Sequence, residues 1–592
     1  MSARDEREPL GPRPTSLYDH ALFVHAVEPD APLPRAGRPL PDGSPPESGR
    51  KGLTWERARA DVTAALTDLL ADPDPVRAAG AVHRRVSELA MPHRTLRAAT
   101  ALLPLTDEDA ARRTARRLTR TGTDAAAVGV GITLLIRLGE PEDVPCLQAL
   151  GTLRGLEQAA AAALDPLDRQ AAALLVIRRR DRSRALAPLT AAITAGDPEA
   201  VRDALIAVPD DPRALWLARR VAEAADLDAL LRSRPGDTAL IVAAGRLLHG
   251  MCGQLEHRPD ILDYLPARSA YAYFLGQAGL PDPAPELHEL LLSTALDLHS
   301  GPAALLDWRP FRREALLDRL ERLLAGPAWD PGPHGGGRRA DWIRRTGRKP
   351  FARTAAAGAH PRWEVAVVQE SPDSNRVETR ILVDGRPLLP ALFGKGPGGP
   401  PEDLLDSGLL RAGPRPREVR LAEADCTEGC CGALYVTIRR DGPEVVWGGW
   451  RGAAGPPPPE YRFDAAAYDA EVERAEKDES WCWPARSAAR LITAGLRERP
   501  ELLGRWGLGQ SWVSTGWRDP DTVTAQFAFS PPGAEGSLYF QWDLPDDGSG
   551  PQARAAAALE RIAVSDPKDF AVLGGGSREL AESLGYDWPP PS

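Results

Sequence analysis

The chain has 592 residues, a formal net charge of -10 and 43% apolar residues, with six cysteines. Its length exceeds one hydrophobic core and implies two to four domains, and its apolar share excludes wholesale disorder. So few, scattered cysteines exclude a disulfide scaffold, and the acidic balance argues against nucleic-acid binding, which needs a basic face.

Residues 1–52 form a Pro- and Gly-rich leader. Its start, MSARDEREPLGPRP, is charged and lacks the apolar core of a signal peptide. Within it, TSLYDHALFVHAV (15–27) is apolar enough to dock on the rest of the chain. From 53 to 328 the pattern is helical, with apolar residues three and four apart and short Pro/Asp/Gly interruptions. The most apolar run, AAAVGVGITLLI (125–136), is too short to span a bilayer. The expected location is therefore the cytoplasm, with no membrane contact.

The interruptions DPDPVRAAGAV (72–82), GEPEDVPCLQAL (139–150) and GDPEAVRDALIAV (196–208) share one grammar. An acidic or Gly turn comes first, then Pro, then Val and an apolar helical stripe. Asp caps the free N–H groups, and Pro suits a first turn where its missing donor had no partner. These segments resemble the second helix of HEAT repeats, although the turns lie 68 and 57 residues apart. The resemblance implies stacked helical pairs in an α-solenoid over 53–328, a fold that presents a long concave surface to a protein partner. The alternative is an irregular helical bundle. The last helices, ILDYLPARSAYAYFLGQAG and LHELLLSTALDLHSGPAALLDW, bring in larger aromatics and point to a wider core.

Residues 329–360 (WDPGPHGGGRRADWIRRTGRKP and onward) read as a Gly-rich basic linker. Beyond it, 361–592, the period becomes two. RWEVAVVQE, RVETRILVDGRPL and REVRLAEA read as strands. ALYVTIRR and PEVVWGGW flank Asp441-Gly442 as a hairpin, and SWVSTGWR, TVTAQFAF and SLYFQWDL follow. Helices are expected over 463–480, where Asp464 caps, over 483–496, opened by Pro484, and near 552–563. The fold class expected overall is an N-terminal all-α HEAT-like solenoid plus a C-terminal α+β region with antiparallel sheet.

The densest chemical signal is DCTEGCCGALYVTIRRDGPEVVWGGW (425–450). Cys426, Cys430 and Cys431, with Cys482 as a fourth thiolate, have the ligand count of a tetrahedral structural zinc site. The C-x3-C-C spacing is awkward for that, because adjacent residues of an extended backbone point in opposite directions. No histidine follows His360 to lower a thiol pKa or fill a ligand gap. Small residues packing a tight turn ahead of the hairpin are the plainer reading. This stretch, with FDAAAYDAEVERAE and SWCWPARSAARLI, resembles a group of uncharacterised actinobacterial proteins with a Cys-x3-Cys-Cys-Gly turn before a Val/Trp hairpin. That resemblance implies no catalytic residue.

Other candidates are weaker. Asp297, His299 and Ser300 look like a hydrolase trio but lie too close in sequence to converge, and no G-x-S-x-G elbow is present. His257 is a lone turn residue. Arg113, Arg116, Arg117 and Arg120 share one helical face and, with IRRRDRSR (177–184), suggest either a phosphate patch or a solvated face. Arginine outnumbers lysine 68 to 5, so its abundance alone points to no partner. The acidic set Glu471 to Glu479 reads as a solvated face. Gly574 to Gly576 lack a preceding strand to aim them at phosphate, and no Walker loop or H-E-x-x-H occurs. Trp447, Trp450, Trp481, Trp483, Trp506, Trp512 and Trp517 suit either core filling or a recognition groove. The functional expectation is a non-enzymatic protein-interaction or adaptor protein without catalytic or cofactor-binding residues. A metal- or thiol-dependent enzyme centred on Cys426, Cys430 and Cys431 is the alternative.

Overall fold

A computed structural model describes residues 8–10, 14–27, 33–34, 37–41, 53–179, 185–253, 259–330, 337–352, 360–424 and 432–588. The chain is an all-α region followed by an α+β region with three antiparallel sheets. It divides into two compact units, Met1–Met251 with Ser269–Gln277, and Cys252–Arg268 with Ala278–Ser592. The second unit therefore begins earlier than residue 361. Its early helix Pro285–His299 carries Leu292 and Leu296, which pack with Trp342 and Val368 rather than with the preceding helices.

The first unit starts with α1 (Leu17–Val27), α2 (Trp55–Leu70), α3 (Pro75–Leu89), α4 (His93–Ala101), α5 (Glu108–Thr121) and α6 (Ala125–Leu138). It continues with α7 (Val144–Gly151), α8 (Glu157–Leu164), α9 (Arg169–Arg179), α10 (Leu186–Ala195) and α11 (Pro198–Ala207). Alternate helices are neighbours: α2, α4, α6 and α8 pack in one succession, and α3, α5, α7 and α9 in another. Each helix thus buries its apolar stripe against the layer beside it, and Val82, Leu118, Leu135, Leu147 and Leu164 are all buried. Asp74 and Asp197 accept from the first free N–H groups of α3 and α11 through their side chains, with Pro at the next position. Helices α3 and α7 are two steps apart in their layer, with α5 between them. The 68-residue interval therefore spans two helical pairs, not one.

Side-chain clips reinforce the stack. Arg116 of α5 donates to Asp143 at the start of α7 (2.9 Å) and to Glu140 (2.6 Å). Arg202 of α11 grips Asp237, before the next long helix, at 2.7 and 2.8 Å. The leader segment docks as its apolar character implies. Leu17 and Ala21 of α1 are buried against α5 and α7, and the Leu10 and Leu17 amides donate to the carbonyls of Thr121 and Gly122.

In the second unit, β1 (Trp363–Gln369), β2 (Val377–Val383) and β3 (Arg386–Pro387) form one sheet. The strands β4 (Arg417–Glu423), β5 (Ala433–Asp441), β6 (Glu444–Arg451) and β7 (Tyr461–Asp464) lie in that order in a second. The third has the order β11-β10-β9-β8, from β8 (Leu508–Thr515), β9 (Val523–Phe529), β10 (Leu538–Leu544) and β11 (Val572–Gly576). The β2–β3 turn is Asp384-Gly385, with φ of +52° and +70°, the pair of left-handed residues a two-residue hairpin favours. In the second hairpin Asp441 pairs with Glu444, so Gly442 and Pro443 make the turn.

Two stretches differ from the sequence reading. Arg338–Thr346, inside the presumed linker, is helical because fully buried Trp342 and Ile343 anchor it in a small core. Gly574 to Gly576 lie within β11 itself, whose backbone pairs with β10. The tryptophans are mainly core. Trp363 stacks on Tyr468 (ring centroids 4.3 Å apart), and the Trp447 indole donates to the Tyr468 hydroxyl at 3.2 Å. Among the described residues, no helix is long and apolar enough to cross a membrane.

Candidate functional site: an arginine-walled cleft

A cleft of about 750 Å³ opens in the α+β unit, within the range of ligand sites. Its walls come from segments far apart in sequence: Asn375–Glu378 at the start of β2, Pro397–Pro400, Arg420–Ala424 of β4 and after, helix Pro484–Glu498, and the end of β8 with Trp517. The Pro397–Pro400 segment stitches β2 to β4. The Gly399 carbonyl accepts from the Thr379 amide (3.0 Å), and the Gly399 amide donates to the Leu421 carbonyl (2.8 Å). Gly398 has to be glycine, since a Cβ there would lie 2.4 Å from the Thr379 carbonyl oxygen.

Arg486 of the SWCWPARSAAR segment contributes to one wall, and its neighbours pack behind it. Trp481 and Trp483 precede the helix, which then presents Arg486 and Arg490 four residues apart. Rings and guanidinium groups alternate: Arg345 over Trp483 (5.7 Å), Arg486 over Trp483 and Trp481 (5.4 Å each), and Arg490 over Trp481 (4.7 Å). Arg486 is only 4% exposed. It donates bidentately to Glu402 at 2.8 and 2.9 Å and to the Asn375 carbonyl at 2.7 Å. The Asn375 amide in turn donates to the Thr515 carbonyl at 2.8 Å. Glu402, Arg486, Asn375 and Thr515 thus form one chain of polar contacts that fixes the cleft's shape.

The remaining charges are partly committed. Arg420 pairs with Glu423 at 2.7 Å, and Glu378 pairs with the buried Arg380. Arg376 lies over the ring of Trp517 (5.3 Å), which is 71% exposed. Arg497 is exposed at the rim, with Asp403 as its electrostatic neighbour. Thr515 is fully buried in the wall, and its Oγ1 has no hydrogen-bond partner among the described residues. The site therefore offers exposed Arg497 at its rim beside Asp403, Arg376 over Trp517, walls that include Trp512, and the buried Thr515 hydroxyl.

Cys426, Cys430 and Cys431 lie outside the described residues. The residues flanking their segment are fixed: Ala424 lines the cleft, and its amide donates to the Gly432 carbonyl at 3.1 Å. Cys482 is half-buried, with its Sγ 3.3 Å from an Arg490 guanidinium nitrogen. Burial pushes its thiol up to about 11, against the lowering effect of Arg490, so it is a protonated thiol at neutral pH. Nearby, Lys349 donates to the Val367 carbonyl at 3.0 Å, and burial brings its amine down to about 8. Among the described residues, no three His, Cys, Asp or Glu side chains are gathered as a metal site would require.

Asp297, His299 and Ser300 are not arranged as a relay. The Ser300 hydroxyl donates to the Leu296 carbonyl and accepts from Arg380, while the His299 Nε2 faces Glu364 at 3.9 Å. Burial lowers the His299 imidazole to about 4, aided by Arg313, Arg380 and Arg362 and opposed by Glu364. His257 lies outside the described residues, as do 180–184 of the basic loop. Sequence reasoning missed the cleft arginines. The position of Arg486 behind two alternating tryptophans, and the close-approach glycines of GPGGP, were the available signals. No family model matches this chain, and no curated protein or solved structure matches it either.

Proposed function

We propose that the protein is a non-enzymatic recognition protein of the cytoplasm: a HEAT-like helical stack joined to an α+β module that holds part of a protein partner in its cleft. The observation that carries this reading is the cleft itself. Of the charges that line it, Arg486 is held by Glu402, Arg420 by Glu423 and Glu378 by Arg380, and exposed Arg497 lines it together with Trp512 and Trp517. Aromatic and arginine side chains at the mouth of a preorganised cavity are the groups that dominate protein recognition. The layered helices add an extended surface of the kind solenoids use for partners. The test is affinity purification from the native host with the wild-type chain and the Arg497→Glu/Trp517→Ala variant. A partner retained by the wild type and lost by the variant supports the reading. The same partners on both chains overturn it.

A metal- or thiol-dependent activity is the second reading. It is favoured by one observation, that Ala424, which lines the cleft, directly precedes the stretch carrying Cys426, Cys430 and Cys431 in sequence and donates to the carbonyl of Gly432, which follows it. It expects one zinc per purified chain, lost in Cys430→Ser. A zinc-free, fully folded protein whose cysteines alkylate at ordinary thiol rates sinks it.

A further inference from the structure

We infer that the turn Trp308–Arg312 is a second docking surface, which plugs the Phe311 ring into an acid-rimmed apolar pocket of a protein partner. None of its residues lines the cleft, so the inference goes beyond the recognition reading above and does not depend on it.

Phe311 has φ of +62°, a left-handed backbone that a residue with a bulky side chain adopts only at a steric cost. Among the described residues, three other non-glycines share that region: Ala90, Asp226 and Asp384. Alanine is small, and aspartate tolerates the region through local hydrogen bonds. Asp226 and Asp384 both accept from backbone N–H groups in this way. A phenylalanine has no such local partner. Burial of the ring would ordinarily offset the cost, yet Phe311 is 83% exposed. A single exposed apolar side chain is ordinary. One that is strained as well points to a use outside the fold.

The turn is held in place, so the ring is presented in one position. The Arg312 amide donates to the Arg309 carbonyl and the Ala315 amide to the Phe311 carbonyl, both at 3.0 Å. Trp308 anchors the near end, its indole donating to the Ala303 carbonyl at 2.9 Å. Arg313 anchors the far end, donating to the Gly385 carbonyl of the β2–β3 turn at 3.1 Å. A preorganised aromatic loses little freedom on binding, and such groups dominate protein interfaces.

Charge decides the border of the pocket. The anions of this region are committed: Asp307 faces Arg268 at 3.7 Å, Glu314 faces Arg313 at 3.5 Å, and Asp384 accepts from the Arg362 amide at 2.8 Å. Arg309 and Arg312 flank Phe311, and Arg386 follows the glycine whose carbonyl Arg313 grips; all three are exposed. None of the three has a side-chain ion pair or hydrogen bond among the described residues. A pocket bordered by Asp or Glu gains charge-assisted bonds from these guanidinium groups while it takes the ring. A basic border would be repelled. Three cations on a chain of net charge -10 are too few to hold a nucleic acid or an anionic membrane, whose attraction grows with each phosphate or lipid charge neutralised.

The full-length chain, with photoreactive benzoylphenylalanine in place of Phe311, is introduced into the native host and irradiated, and its crosslinks are mapped by mass spectrometry. The aromatic ring stays, so its own neighbour is labelled. A protein crosslinked within one Asp- or Glu-bearing segment supports the inference if its yield falls at least tenfold when Arg309→Glu and Arg312→Glu are added. A yield indifferent to those charges overturns the acidic border. The crosslink is expected to survive in the Arg497→Glu/Trp517→Ala background. Its loss there assigns the contact to the cleft and overturns a separate surface. Crosslinks to nucleic acid, to lipid or to a second copy of this chain overturn the partner, as does the absence of any crosslink. The fold supplies an independent check, because Phe311→Gly relieves the left-handed strain and is expected to raise the thermal midpoint or leave it unchanged. A lowered midpoint shows that the ring serves the fold and overturns the inference.

Discussion

The cleft's wall depends on a single buried guanidinium, and Arg486→Met tests how much. The substitution keeps the apolar stem between Trp481 and Trp483 but removes two bonds to Glu402 and one to the Asn375 carbonyl. Breaking one partner of a fully buried pair costs about 3–5 kcal/mol, because the other charge is left uncompensated. Glu402 keeps 24% of its side-chain surface in water, which lowers the expected cost to about 2–3 kcal/mol. The lost cation–π contacts add about 1 kcal/mol. Glu402→Gln leaves Arg486 buried without its carboxylate, at about 3 kcal/mol. The double variant is then destabilised by about 2 kcal/mol less than the sum of the singles. Arg486→Lys retains charge but loses the bidentate geometry and ring stacking, and recovers less than half of the loss. Urea unfolding followed by tryptophan emission reads these differences in the intact protein, since ten of the fifteen tryptophans follow residue 360. Additivity of the two single variants within about 0.5 kcal/mol would refute the idea that this ion pair fixes the wall.

Three further outcomes are expected. His299 has a folded-state pKa lowered from 6.5 to about 4, so its contribution is fully present above pH 6.5. That contribution is lost as pH falls toward 4, by up to about 3 kcal/mol; His299→Gln should take up less acid on unfolding, and an unchanged pH slope rejects the assignment. Gly131→Val should destabilise the α5–α6 contact by about 2 kcal/mol, because even a Cβ there lies 2.9 Å from the Leu118 Cβ; a neutral thermal shift contradicts the packing. Cys482 should resist alkylation at pH 7, given its raised pKa, and become reactive in Arg345→Ala only if access rather than protonation protects it.

The sequence made the local elements legible wherever one face repeats with a clear period. The strand β5 alternates buried and half-buried residues along most of its length and β1 does so over its first half, β2 is a nearly continuous buried apolar run, and Asp74, Asp197 and Asp464 cap helices where the Asp-then-apolar pattern says they should. The misses have physical causes. The strand β7 is four residues long, and β11 is largely glycine, so neither offers an alternation to read. Arg338–Thr346 owes its helix to two buried side chains supplied with partners by Pro285–His299 and β1, contacts that no local window contains. The cleft was hidden for the same reason. Asn375, Glu402, Arg486 and Thr515 are separated by up to 140 residues, yet each completes the hydrogen bonding of the next.

The arginines of the helical stack lead to a different conclusion from those of the cleft. On α5, Arg116 is held by Glu140, Glu142 and Asp143, and Arg120 lies 3.8 Å from Asp143. Beyond α5, Arg179 pairs with Glu157, and Arg202 with Asp237. A phosphate binding there would have to displace carboxylates that the fold itself positions, on a chain whose net charge is -10. Each displaced clip also loosens neighbouring helices, so binding would oppose stability rather than add to it. Duplex DNA titrated at low salt is therefore expected to show no saturable complex, and Arg116→Met is expected to weaken the α5–α7 contact, seen as faster amide exchange in α7. A tight complex whose affinity falls steeply with salt, as counterion release demands, would show that these clips open and would move the arginine face from scaffold to binding surface.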